Sequence, residues 1–165
     1  MINRLIKKIL AEKNRFIKFG LVGCSGIVVN LTIVWLGNNV FFATAGEVFK
    51  TTVAYALAIA ASIFTNYTLN FLWTWSDRRG SGGRAFLLHM LKYYVASLAA
   101  AGLQFAIANG ITLLLKATLF SSQAAVPTLF KLGASLIGII VGMLVNFMLN
   151  NGWTFKTTNQ STTKE

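Results

Sequence analysis

Four long stretches without a charged side chain divide this sequence, at 19–46, 51–76, 93–115 and 132–155. Each exceeds the ~20 residues a helix needs to cross a ~30 Å hydrocarbon layer. Short polar or basic segments separate them. The pattern predicts an all-α integral membrane protein with four transmembrane helices, at about 19–42, 51–75, 93–115 and 132–155, within a membrane domain of 19–156.

The polar positions inside these stretches recur. Asn66, Asn70 and Trp73 are answered eighty residues later by Asn146, Asn150 and Trp153. Spacings of i, i+4 and i+7 fall on one stripe of an α-helix. Extended backwards, the stripes read Ala58, Ser62, Asn66, Asn70, Trp73 and Gly138, Gly142, Asn146, Asn150, Trp153. The first and third spans correspond as well. Asn30 lies twelve residues beyond Lys18, and Gln104 twelve beyond Lys92. At about 1.5 Å per residue, both amides sit roughly 18 Å above their lysine. The predicted architecture is therefore two parallel helical-hairpin repeats.

Before the first span, Ile2, Leu5, Ile6, Ile9 and Leu10 share one side of a helix, and Arg4, Lys7, Lys8 and Lys13 lie largely on the other. Residues 1–18 are expected to form an amphipathic helix on the cytoplasmic membrane interface. The run after them is too long for a cleaved signal peptide, so a retained anchor is expected. Residues 157–165 are polar and expected to be a disordered tail.

Composition agrees with a membrane class: 165 residues, 55% hydrophobic, mean hydropathy +0.63 and one proline. The net charge of +11 is carried between the apolar stretches, which points to anionic lipid and away from nucleic acid. Twelve Lys and Arg fall in the N-terminal segment, the 77–92 connection and the tail, and three (Lys50, Lys116, Lys131) fall on the other side. The positive-inside rule then predicts a multi-pass protein of the cell (inner) membrane with both termini cytoplasmic. Cys24 is the single cysteine, so neither an internal disulfide nor a cysteine metal cluster can form.

Catalytic chemistry finds few candidates. Glu12, Glu47, Asp77 and Glu165 are scattered, no carboxylate pair is visible, and neither an enzyme, a cofactor nor a metal is expected. His89 reads as an ordinary interfacial histidine. No span holds a carboxylate, lysine or arginine, which argues against a proton-coupled drug exporter. What remains in the membrane is amides: Asn30, Asn66, Asn70, Gln104, Asn146 and Asn150. They are interhelical glue or a polar seam for a hydroxyl-bearing ligand. Trp73 and Trp153 are an aromatic belt or a stacking surface for a sugar ring. Arg15, Lys18, Arg78, Arg79 and Lys92 are topology signals or ligands for a lipid phosphate.

At these residues the chain resembles the GtrA family, small four-span proteins of cell-surface polysaccharide modification. The likeness runs from Arg15-Phe16-Ile17-Lys18-Phe19-Gly20-Leu21-Val22-Gly23 to the two Asn-x-x-x-Asn-x-x-Trp-Thr-aromatic endings. The resemblance implies flipping of a polyprenyl-phosphate-linked monosaccharide to the outer leaflet, or support of a glycosyltransferase as partner. Many members carry an acidic residue where this chain has Asn30, and a basic one where it has Phe71 and Asn151. Phosphate binding would then fall to the loop arginines. Gly-rich helix surfaces lead to the expectation of a homo-oligomer, with a dimer favoured.

Overall fold

The computed structural model describes residues 12–123 and 125–156, and within them the chain is all helical, without strands. Helix α1 spans Lys13–Leu36, α2 Glu47–Leu69, α3 Gly83–Thr118 and α4 Thr128–Leu149. Three of them end in a single π turn: π1 Gly37–Phe41 after α1, π2 Asn70–Thr74 after α2 and π3 Asn150–Thr154 after α4. Four helical runs, Lys13–Phe41, Glu47–Thr74, Gly83–Thr118 and Thr128–Thr154, are long and apolar enough to cross a bilayer. The protein is a multi-pass membrane protein. Most of the amphipathic helix expected over 1–18, and all of the tail at 157–165, lie outside the described residues. From Lys13 onward the backbone is one helix through Lys18 into the first span, because nothing at that junction interrupts the i→i+4 ladder.

The chain forms two compact units, Met1–Met90 and Leu91–Glu165. In the first, α1 packs on α2. Small residues set the distance: a Cβ on Gly37 would stand 2.6 Å from that of Ala54, and one on Gly26 would stand 2.4 Å from the Asn66 amide. Phe19, Val22, Ala54, Ala58, Tyr67 and Trp75 are buried here. The turn into α3 is closed by Gly82 at φ +91°, a conformation open to glycine at little cost. The Tyr67 hydroxyl donates to the Phe86 carbonyl, and the Phe71 and Phe86 rings meet edge to face at 5.1 Å.

In the second unit α3 and α4 make the close approach. A Cβ on Gly138 would meet the Gln104 carbonyl oxygen at 2.7 Å, and one on Gly142 would meet Gln104 Cβ at 3.0 Å. The small-xxx-small pair thus lets Gln104 reach the α4 backbone. At the far end of α3, Lys116 Nζ donates to the carbonyls of Phe120, Ser121 and Gln123, where a cation complements the negative helix terminus. Leu, Ile, Val and Phe side chains cover much of the exposed helix surface, among them Leu31, Phe105 and Leu113 at 62%, 70% and 69% exposure. In a bilayer these face lipid, which is as apolar as they are.

Candidate functional site

The two Asn-x-x-x-Asn-x-x-Trp-Thr endings adopt the same backbone. Trp75 N–H donates to the Asn70 carbonyl at 2.9 Å, and Phe155 N–H to that of Asn150 at 2.8 Å. Each bond runs i→i+5, so each turn takes in one residue more than an α turn. That extra residue re-phases the stripe. Trp73 and Trp153, placed on it by the α-helical spacing, turn outward to 45% and 44% exposure. Thr74 and Thr154 are instead buried with Asn70 and Asn150, and the aromatic driven inside is the next residue, Trp75 or Phe155, at 0% exposure in both. The α-helical stripe is therefore corrected at its last position: it ends on threonine, not on indole.

Several polar atoms inside these turns lack partners. Among the described residues no hydrogen bond reaches Thr74 Oγ1, Thr154 Oγ1, Asn66 Oδ1 or Asn150 Oδ1, all buried. The Asn150 amide donates to the Asn146 carbonyl at 2.9 Å and to Asn146 Oδ1 at 2.8 Å. A buried unsatisfied polar atom costs about 1–3 kcal/mol. Helix association alone has no use for that expense, since alanine or valine would pack there without it.

Outside each ending stands a lysine from the preceding helix. Lys18 Nζ lies 5.3 Å from the centre of the Trp73 ring in the first unit, and Lys92 Nζ lies 6.0 Å from that of Trp153 in the second. Both distances are within the range of cation–π attraction. In the first unit this pair borders a cavity of about 410 Å³, whose walls include Lys13, Arg15, Lys18, Trp73, Thr74 and Asp77. Its charges are ordered. Arg15 Nε lies 3.1 Å from Glu12 and its Nη2 2.9 Å from Asp77, while Arg78 Nη2 reaches Glu12 at 2.7 Å. Two carboxylates hold the Arg15 guanidinium in place. Its Nη1 is buried and finds no partner among the described residues. Arg79 turns the other way, its guanidinium carbon 5.9 Å from the Phe71 ring centre, beside a separate cavity of about 430 Å³ along Gly80–Gly83.

The residues singled out from sequence are thus divided between the units. Arg15, Lys18, Arg78, Arg79, Trp73, Asn30, Asn66 and Asn70 belong to the first; Lys92, Trp153, Gln104, Asn146 and Asn150 belong to the second. Asn30 is half-buried on α1. Asn66 is seated against Gly26, and Gln104 against Gly142. Sequence reasoning passed over Thr74 and Thr154, although each stands four residues after an asparagine it had marked. It also passed over Asn109 and Thr112, which line a cavity in the second unit.

Residues 18–126 and 104–165 match the GtrA/DPMS transmembrane-domain family. A dolichol-phosphate mannosyltransferase of Pyrococcus furiosus is 32% identical over 147 residues, which are 88% of this chain and 35% of that relative. The chain spans about a third of that relative's length.

Proposed function

The chain belongs to the GtrA/DPMS transmembrane-domain family, and from that premise we propose that it moves a polyprenyl-phosphate-linked monosaccharide from the cytoplasmic to the outer leaflet. The observation that carries this reading is the Lys18–Trp73 pair and its counterpart Lys92–Trp153, each beside a π turn with a buried asparagine and threonine. A lysine offers charge to a phosphate, an indole face offers stacking to a sugar ring, and the unsatisfied oxygens behind them accept hydrogen bonds from hydroxyls. Arg15, with Nη1 left over, adds a second cation in the first unit, and Arg78, Arg79 and Lys92 add to the basic end.

In this reading the two endings are duplicated hairpin repeats, and each hairpin offers its own amides to the ligand, Asn30, Asn66 and Asn70 in the first unit and Gln104, Asn146 and Asn150 in the second. Both termini and the basic end are cytoplasmic, the protein lies in the cell (inner) membrane, and two copies associate as a dimer. The isoprenoid tail stays in lipid. Transport runs downhill, drawn by consumption of the sugar on the far side.

Reconstitution in liposomes with a radiolabelled polyprenyl-phosphate sugar tests the proposal. Acceleration over protein-free liposomes is expected, and none overturns it. Asn66→Ala combined with Asn146→Ala should abolish transport while the protein still inserts; undiminished transport removes the amides from this reading.

A second reading has one observation in its favour. The matching segment of the Pyrococcus relative makes up 35% of a protein named for mannosyl transfer, so a domain of this kind could act as the membrane partner or anchor of a glycosyltransferase. Co-purification with an active transferase, together with no flipping in liposomes, would select it.

A further inference from the structure

A further cavity, of about 540 Å³, lies between α3 and α4 in the second unit, where Gln104, Asn109, Thr112, Lys131 and Ser135 stand among the apolar Ala101, Phe105 and Ala108. It is remote from Trp153. Lys131 and Trp153 are 22 residues apart on one helical run, or about 33 Å at roughly 1.5 Å per residue. Neither the lysine–tryptophan pairs nor the π turns extend to it.

Its electrostatics are those of an incomplete ion pair. Lys131 stands in the first turn of α4, where the helix macrodipole is already positive and a cation is disfavoured. That turn contains no acidic residue, and Pro127 at the N-cap supplies no side-chain acceptor to the free backbone N–H groups. The start of α2 makes the contrast. There Lys50 also stands in the first turn, but Glu47 occupies the first helical position and binds it at 2.7 Å. Lys116, the other lysine of this side among the described residues, is spent on three carbonyls. No ion pair or hydrogen bond engages the Lys131 side chain among the described residues, while its backbone N–H donates to the Pro127 carbonyl at 3.3 Å.

The remaining wall groups are set to meet hydroxyls. Asn109 gives its amide N–H to Phe105 and Thr112 its hydroxyl to Ala108, at 2.8 Å each, which leaves their oxygens as acceptors toward the cavity. The side chains of Gln104 and Ser135 have no hydrogen-bond partner among the described residues. One ammonium, a positive helix start and four uncharged polar groups suit an anion that carries hydroxyls.

We propose that this cavity is a second headgroup site, for a phosphate bearing a polyol: the phosphate on Lys131, the hydroxyls on Gln104, Asn109, Thr112 and Ser135. It rests on the transport reading for the identity of its ligand, a polyprenyl-phosphate sugar at the end opposite Trp153. The site gives the headgroup a place to rest before release.

The test measures binding of the full-length protein in detergent micelles by native mass spectrometry. The probes are a polyprenyl-phosphate glucose, the polyprenyl phosphate without sugar, and inorganic phosphate. Each is run with Lys18→Gln and Lys92→Gln in the background, so that the basic-end pairs do not mask the result. Lys131 is exposed, so Lys131→Gln is expected to fold, and thermal unfolding checks this. Loss of one charge-assisted contact should weaken retention of the polyprenyl-phosphate glucose about tenfold, and Lys131→Arg should retain most of it. Gln104→Leu with Ser135→Ala should erase the preference for the sugar-bearing lipid over the bare phosphate lipid. Unchanged retention in Lys131→Gln overturns the site. Inorganic phosphate competing at the lipid's own concentration assigns it to free phosphate and also overturns it. Binding is read apart from transport. Lys131-dependent binding without flipping would leave this site standing and sink the transport reading, whereas flipping with Lys131-independent binding would do the reverse.

Discussion

Lys18 lies over the indole of Trp73, with its Nζ 5.3 Å from the ring centre, although 55 residues separate them in the chain. The lysine is on α1 and the tryptophan on the π turn that ends α2, so the contact exists only because the hairpin closes. The same contact between Lys92 and Trp153 makes a matched pair. Each indole is nearly half exposed and each ammonium lies beside it, so in the proposed function a sugar ring and its phosphate would meet both.

Removing either indole should therefore lower transport without unfolding the protein. An aromatic contact of this kind is worth about 0.5–1.5 kcal/mol, so Trp73→Ala or Trp153→Ala should slow flipping in liposomes severalfold, while Trp→Phe retains most of the rate. Equal rates for alanine and tryptophan would show that the rings serve as membrane anchors alone.

Thr74 and Thr154 carry buried hydroxyl oxygens with no partner among the described residues. Valine has the same shape without the polar atom. Thr74→Val and Thr154→Val should each raise stability by about 1 kcal/mol, seen as a higher unfolding temperature in detergent, and should lower transport. A fall in both quantities would mean that the hydroxyl has a structural partner.

The fit of Asn66 against Gly26 predicts a coupling. A Cβ at Gly26 would come 2.4 Å from the amide, so Gly26→Ala should destabilise by about 1–3 kcal/mol. Gly26→Ala with Asn66→Ala should recover much of the loss, and the double-mutant cycle in thermal unfolding measures it. Strict additivity would mean that the two side chains do not share that space.

Arg15 and Arg78 are held by Glu12 and Asp77. These carboxylates orient the guanidinium groups and also compete with an incoming phosphate. Asp77 is the more exposed of the two, at 58% against 24%, so replacing it disturbs packing least. Asp77→Asn should strengthen binding of a polyprenyl phosphate severalfold in micelles, an effect that fades as added salt screens it. Weaker binding would show that Asp77 is needed to aim Arg15.

Much of the membrane design could be read from residue order. Apolar runs of more than 20 residues have no stable state in water or lipid except as helices whose backbone groups are satisfied internally, so the four helices follow from composition and length. The distribution of lysine and arginine gives an expected orientation for the same one-dimensional reason. The repeated asparagines and tryptophans stood out as well, because they recur at fixed spacing.

What residue order left open was phase and partnership. A stripe drawn at 3.6 residues per turn put Trp73 beside Asn70, whereas burial of Trp75 and Phe155 goes with an i→i+5 turn that brings threonine inward. The pairings of Gly26 with Asn66, of Gly142 with Gln104 and of Arg15 with Asp77 join residues 40, 38 and 62 positions apart. No local rule links such positions. Sequence by itself determined four helices long and apolar enough to cross a membrane, with amides along them and most cations between them; packing between helices decided which polar atoms are left without partners, because only closure of each hairpin sets what a side chain can reach.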